Sequence, residues 1–317
     1  MVPLVTIVGS GRVGTEIAKH ILINDLADVV LIDIDPNKVR GEALDLTHMV
    51  AMLGIDRDVK PSTDYRDMSG SDVVVISAGI PRSPGMTREQ LIYSNAGIVY
   101  NICKSISEYC PKAVVIIVTN PVDALTFIAW KATGFERERV MGFGSMLDSA
   151  RMRSVIAKKL GVRVSKVSAL VMGEHGEAMV CMFRYSYVDG TPVIALLSSE
   201  DMEEIRRTVR GLGAEIIRLR GYSSTHAPGV GVAMLVRAVL RDEKRVYPVT
   251  AILDGEYGYR GIPLAVPAVI GRRGIEKIIE LELTDDERKE LEQAAKKIVE
   301  TIKQALPPEL CADIALA

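Results

Sequence analysis

The chain has 317 residues, a length that suits two domains or one elaborate α/β domain. Its 39 basic and 41 acidic residues nearly cancel, and no apolar run approaches the ~18 residues of a membrane span, so neither nucleic acid nor a bilayer is an expected partner. The first residues read directly as a strand, with no basic segment ahead of an apolar one, and the four cysteines form no CxxC pair. The expectation is a cytoplasmic protein with no secretory leader, zinc site or redox motif.

Nearly continuous apolar runs at residues 4–8, 28–33, 72–77 and 113–119 have the texture of parallel strands covered on both faces. Between the first two, Val13, Ile17 and Ile21 recur at helical spacing. Asp35 reads as the N-cap of a helix starting near Pro36. A longer helix is expected over about 87–109, stopped by Pro111, with Cys103 and Cys110 as buried thiols on one face. This alternation predicts a doubly wound parallel sheet.

From about residue 144 the texture becomes α+β. A helix is expected over 146–160, ended by Gly161, then a strand over 167–172. Strands over 179–188 and 191–197 flank Asp189-Gly190, a two-residue hairpin signal. A helix over 199–219 and strands over 248–253 and 262–270 follow. The last helix starts after Thr284, a good N-cap, with Asp285, Asp286 and Glu287 at the positive end of its dipole. The expected division is a Rossmann dinucleotide-binding domain over 1–143 and a substrate domain over 144–317.

Gly9-Ser10-Gly11-Arg12-Val13-Gly14 matches GxGxxG between an expected strand and helix, and Asp33 closes the next strand. In that context Gly9 permits the tight turn, Gly11 lets a pyrophosphate approach the backbone, and Gly14 lets helix and strand pack closely. Asp33 would accept hydrogen bonds from ribose hydroxyls and repel a 2′-phosphate, so NAD is the expected cofactor rather than NADP. Nothing chemical is assigned to residues 38–45.

In Gly173-Glu174-His175-Gly176 a histidine stands between glycines at a strand end, where its side chain can face a cleft. Asp148 and Arg151 lie three apart on an expected helix and share one face. An aspartate beside a histidine favours the imidazolium and fixes its tautomer, and an arginine can grip a carboxylate with two parallel hydrogen bonds. The same pair also reads as an ordinary surface ion pair. Val118 and Asn120 follow the 113–119 strand, at the end that faces a ligand crevice. Asn120 can bond a ligand or start a turn before Pro121.

Taken in order, GSGRVG, DID, PRSPGMTRE, TNPVD, LDSAR and GEHG closely resemble the malate and lactate dehydrogenase family over essentially the whole chain. The resemblance implies that His175 exchanges the substrate proton with Asp148 as its partner. It implies that Arg151 binds the C1 carboxylate, that Arg88 polarises the reacting carbonyl, and that Asn120 bonds substrate or cofactor. Arg82, six residues before Arg88 in a Pro- and Gly-rich loop, stands where this family's malate enzymes carry arginine and its lactate enzymes glutamine. A desolvated cation there requires a second carboxylate, which oxaloacetate has and pyruvate lacks.

The implied reaction is reversible oxidation of L-malate by NAD, a step of the tricarboxylic acid cycle, in a homo-oligomer, tetramer before dimer. The competing readings are a lactate or broad 2-hydroxyacid dehydrogenase and a non-catalytic NAD sensor. The substrate-wall segment 221–228 is one residue longer than the corresponding family segment, which leaves Ser224 and Thr225 as alternative pocket residues and gives His226 a structural role.

Overall fold

The computed structural model describes residues 2–80 and 88–305, apart from the side chains of Arg88 and Glu89. Strand β1 (Leu4–Val8) is followed by α1 (Arg12–Ile23), β2 (Asp28–Ile32), α2 (Pro36–Leu53), β3 (Val59–Ser62), β4 (Val73–Ile76), α3 (Arg88–Tyr109), β5 (Val114–Ile117), α4 (Val122–Thr133) and β6 (Val140–Gly142). The six strands run parallel in the order β3-β2-β1-β4-β5-β6. The chain turns from one half of this sheet to the other between β1 and β4, which opens a crevice beyond their C-terminal ends. The continuous apolar runs serve both faces. Val73 and Val75 join the core that holds Ile17 and Ile21 of α1, while Val74 and Ile76 join the one that holds Val99, Ile102 and Ile106 of α3. The expected doubly wound fold is the one observed.

Beyond β6 come α5 (Ser145–Leu160), β7 (Val167–Ser168), β8 (Val171–Gly173), β9 (Met179–Cys181), β10 (Tyr187–Val188), β11 (Thr191–Pro192), α6 (Ser199–Arg220), α7 (His226–Leu240), β12 (Arg245–Asp254), β13 (Arg260–Gly271), β14 (Gly274–Ile278) and α8 (Asp285–Ala305). The main sheet continues into this half. Thr250 of β12 pairs antiparallel with Gly142 of β6, and β13, β8 and β9 follow. Caps agree with the sequence reading: Asp35 accepts from the N–H groups of Asn37 and Lys38, and Thr284 and Glu287 cap each other's N–H groups across the first turn of α8.

Three expected strands are corrected. The run 167–172 divides between two sheets, β7 joining β10 and β11 and β8 joining the main sheet. The run 179–188 breaks after β9 into a 3₁₀ turn at Phe183–Tyr185, closed on the Met182 carbonyl by the Tyr185 N–H and the Ser186 hydroxyl. In 191–197 only Thr191–Pro192 is strand, and Val193–Ala195 is another 3₁₀ turn. Phe183 and Val193 are both buried in a small core with Met152, Ile156 and Val209. An apolar run records burial, which a buried turn satisfies as well as a strand. The hairpin itself is present: Asp189 and Gly190 have φ of 47° and 82°, and Val188 pairs with Thr191. Among the described residues no helix is long and apolar enough to cross a membrane.

Candidate active site

The turn between β1 and α1 owes its shape to contact distances. Gly9 has φ of 103°, and a Cβ there would lie 2.6 Å from the Ala78 nitrogen; one on Gly14 would lie 1.9 Å from the Gly9 carbonyl oxygen. At Gly11 the space a Cβ would enter is open for 4 Å. Among the described residues no side chain caps α1, so the N–H groups of its first turn can receive a ligand. Arg12, Val13 and Gly14 line a cleft of about 620 Å³ together with Val118, Asn120, His175 and Ser224. Ser10 is fully buried behind it and donates both its N–H (2.8 Å) and its hydroxyl (2.9 Å) to Asp33 Oδ2. Burial works against an ionised Asp33, but hydrogen bonds from the Asp35 and Ser10 N–H groups, the Ser10 hydroxyl and the charge of Lys38 outweigh it and lower its pKa. These residues fit the pyrophosphate and ribose of a dinucleotide.

His175 stands in the same cleft. Its Nδ1 is 2.6 Å from Asp148 Oδ2, and the other Asp148 oxygen accepts from Arg151 Nη1 at 3.0 Å. Asp148 is 0 % exposed. A carboxylate on Nδ1 assigns the hydrogen to that nitrogen and leaves Nε2 to exchange a proton with a ligand. Burial alone would lower the His175 pKa; the charge and hydrogen bond of Asp148, helped by the charge of Asp123, overcome it and raise the pKa. Arg151 Nη2 reaches Ser224 Oγ at 3.3 Å. Its Nε is buried without a hydrogen-bond partner among the described residues. A guanidinium held by a carboxylate and a hydroxyl, with a donor in reserve, can receive a ligand carboxylate.

Residues 4–142 match the family model described as lactate/malate dehydrogenase, NAD binding domain, and residues 145–307 match its alpha/beta C-terminal domain. The malate dehydrogenase of Aeropyrum pernix is 48% identical over 97% of this chain and 99% of its own length. The chain belongs to the lactate/malate dehydrogenase family. The solved structure of the Aeropyrum pernix malate dehydrogenase superposes with a TM-score of 0.93 at 46% identity, covering 97% of this chain and 99% of that one. A lactate dehydrogenase from Cryptosporidium parvum, solved with lactic acid and β-nicotinamide adenine dinucleotide, has a TM-score of 0.93 at 36% identity, covering 97% of this chain and 99% of that one.

Within this lactate/malate dehydrogenase framework, His175, Asp148, Arg151, Asn120 and the glycine turn are brought together. Arg82 lies outside the described residues, and Arg88 contributes only its backbone, as the first residue of α3. Ser224 and Thr225 both line the cleft; Ser224 meets Arg151, while Thr225 is buried and accepts from Arg220. His226 points away to Glu16, at 3.2 Å.

Four residues carry contacts that the sequence reading did not assign. Asp123 is 4 % exposed and accepts from the His175 backbone N–H at 2.8 Å and from the Thr250 hydroxyl at 2.5 Å. Burial pushes its pKa up to about 6, against both bonds. Buried Asn95 accepts from the Ile80 N–H at 2.9 Å and donates to the Asn120 carbonyl at 3.0 Å, steadying both sides of the cleft. The Tyr222 ring lies between the guanidinium groups of Arg12 and Arg220, at 3.9 and 4.2 Å, and so joins the glycine turn to the substrate wall. Lys38 reaches Asp33. Asp123 stands inside the quoted TNPVD motif, and its signal was a carboxylate opening an otherwise apolar helix. The other three depend on contacts between distant segments or across a helix turn.

Proposed function

We propose that the protein is an NAD-dependent malate dehydrogenase, interconverting L-malate and NAD⁺ with oxaloacetate, NADH and a proton. The observation that carries this is the Asp148–His175 pair with Arg151 beside it, opening into the same cleft as the glycine turn. Gly11 and the α1 N–H groups would hold the pyrophosphate, Asp33 the ribose, and Val118 and Asn120 the nicotinamide side. When bound, NAD supplies the hydride acceptor.

The chain's own residues do the rest. Arg151 binds the C1 carboxylate of malate. His175 Nε2 takes the proton of the C2 hydroxyl, and Asp148 stabilises the imidazolium that results. In the reverse direction His175 returns that proton to the carbonyl oxygen. Arg88 stabilises charge developing on that oxygen, and Arg82 pairs with the far carboxylate. The roles of Arg82 and Arg88 rest on the loop motif and on the family.

The domain division, 1–143 and 144–317, is supported by the change from parallel to antiparallel pairing at β6. A homotetramer, with a dimer as the smaller alternative, rests on the family alone. Work in the cytoplasm, in the tricarboxylic acid cycle, suits cysteines that are free and buried among the described residues; burial pushes the Cys103 and Cys181 thiols up to about 12.

NADH oxidation with oxaloacetate against pyruvate tests the reading. Oxaloacetate should be preferred by at least ~100-fold in kcat/KM, and Arg82→Gln should remove most of that preference, as expected when a buried charge loses its partner. Equal or better turnover of pyruvate would favour the lactate reading. Absence of turnover with intact NADH binding would favour the sensor.

A further inference from the structure

The β2 end of the cleft carries a cation that Asp33 alone does not anticipate. Lys38 lies in the first turn of α2 and lines the cleft, with Nζ 3.2 Å from Asp33 Oδ2. That oxygen already accepts from the Ser10 N–H and hydroxyl, while Oδ1 accepts from the Asp35 N–H at 3.2 Å. A carboxylate offers about four lone-pair sites. Those four donors fill them, so each hydrogen bond that a ribose hydroxyl donates to Asp33 requires one of these donors to leave. Ser10 is fully buried and fixed by the glycine turn. The Lys38 side chain is 43 % exposed on a flexible stem, so Lys38 is the donor that moves.

We propose that Lys38, displaced from Asp33 by the ribose, turns to the 2′ substituent and makes a 2′-phosphorylated dinucleotide a second usable cofactor. This rests on the cleft being the dinucleotide site of a malate dehydrogenase. The N–H groups of Asn37 and Lys38 at the start of α2 are taken by the Asp35 side chain, so the ammonium rather than the helix end meets the phosphate. Asp33 stays ionised and repels that phosphate; Lys38 offsets part of the repulsion. NADH therefore remains the better cofactor, and NADPH is used at a measurable rate. Lys38 also acts in opposite senses on the two. With NADH it competes with the ribose for Asp33, whereas with NADPH it supplies the phosphate's counter-charge.

The test compares Lys38→Met and Lys38→Arg with the wild-type chain. It uses kcat/KM for NADH and NADPH at saturating oxaloacetate and equilibrium binding of each from nicotinamide fluorescence. Wild type should use NADPH roughly 10- to 100-fold less well than NADH. Lys38→Met should lose roughly tenfold or more with NADPH while NADH binding holds or tightens, and Lys38→Arg should keep NADPH. Equal losses with both cofactors would make Lys38 merely structural and overturn the proposal. Wild-type protein that binds NADH but not NADPH would also overturn it, while leaving the dehydrogenase reading intact. Failure to bind either would sink both.

Discussion

His175 is held by two carboxylates on different atoms. Asp148 takes the ring Nδ1 and Asp123 takes the backbone N–H. Both negative charges raise the imidazole pKa, against burial, with Arg151 opposing. The stability His175 contributes through its raised pKa is therefore fully present below its ordinary 6.5 and lost as pH rises through its folded value. Asp123 is also raised, from 3.8 to about 6, by burial. Its contribution is present below 3.8 and gone above about 6, where the ion must be buried.

Asp123→Asn keeps an acceptor for His175 and a donor for Thr250 but removes the charge. The His175 pKa should fall, so the alkaline decline of oxaloacetate reduction should move down by roughly half to one pH unit. A pH–rate profile of kcat/KM checks this. A uniform loss at every pH, with an unmoved profile, would mean that Asp123 acts only as a scaffold.

At the scale of an element, the glycine turn separates two kinds of steric demand. Gly14 and Gly9 are packed against backbone, whereas Gly11 faces open space. Gly14→Ala places a methyl group 1.9 Å from a carbonyl oxygen, so the turn must deform, at a cost of about 1–3 kcal/mol of stability. Gly11→Ala meets nothing within 4 Å among the described residues, and its φ of −74° suits alanine. It should melt within a degree or two of wild type. It should still lose roughly tenfold or more in NADH affinity, because the methyl group stands where the pyrophosphate approaches. Thermal melts and NADH titrations of both variants check the contrast. Unchanged NADH binding in Gly11→Ala would remove the pyrophosphate from that spot.

The whole molecule hangs on one continuous sheet, in which β6 carries the parallel half into the antiparallel half. The site straddles that join. Asp123 at the start of α4 reaches both Thr250 of β12 and His175 after β8, and Tyr222 stacks on Arg12. Arg137, just before β6, adds two contacts to Glu256, at 3.0 and 2.8 Å, beyond the end of β12. A cofactor bound across this join should stabilise the fold as a unit. NADH at about a hundredfold its Kd should add about 2.7 kcal/mol, read as a rise of several degrees in Tm by scanning fluorimetry. An unmoved Tm would argue that the cleft does not take the dinucleotide.

Local chemistry was legible in the order of residues. The glycine turn, the Asp35 and Thr284 caps, the Asp189-Gly190 hairpin and the Asp148/Arg151 spacing each depend on torsions or contacts within a few neighbouring residues, and Asp33 is legible by its place at the end of the next strand. The alternation of strand and helix then specifies the doubly wound sheet. The broken strands between residues 167 and 197 were not legible, because an apolar run gives burial without conformation. Nor were the contacts of Asp123 with His175, Ser224 with Arg151, and Tyr222 with Arg12. Their partners are 52, 73 and 210 residues apart in the chain. No local propensity encodes such a meeting; it exists only once the sheet and its crossing helices have brought the segments together.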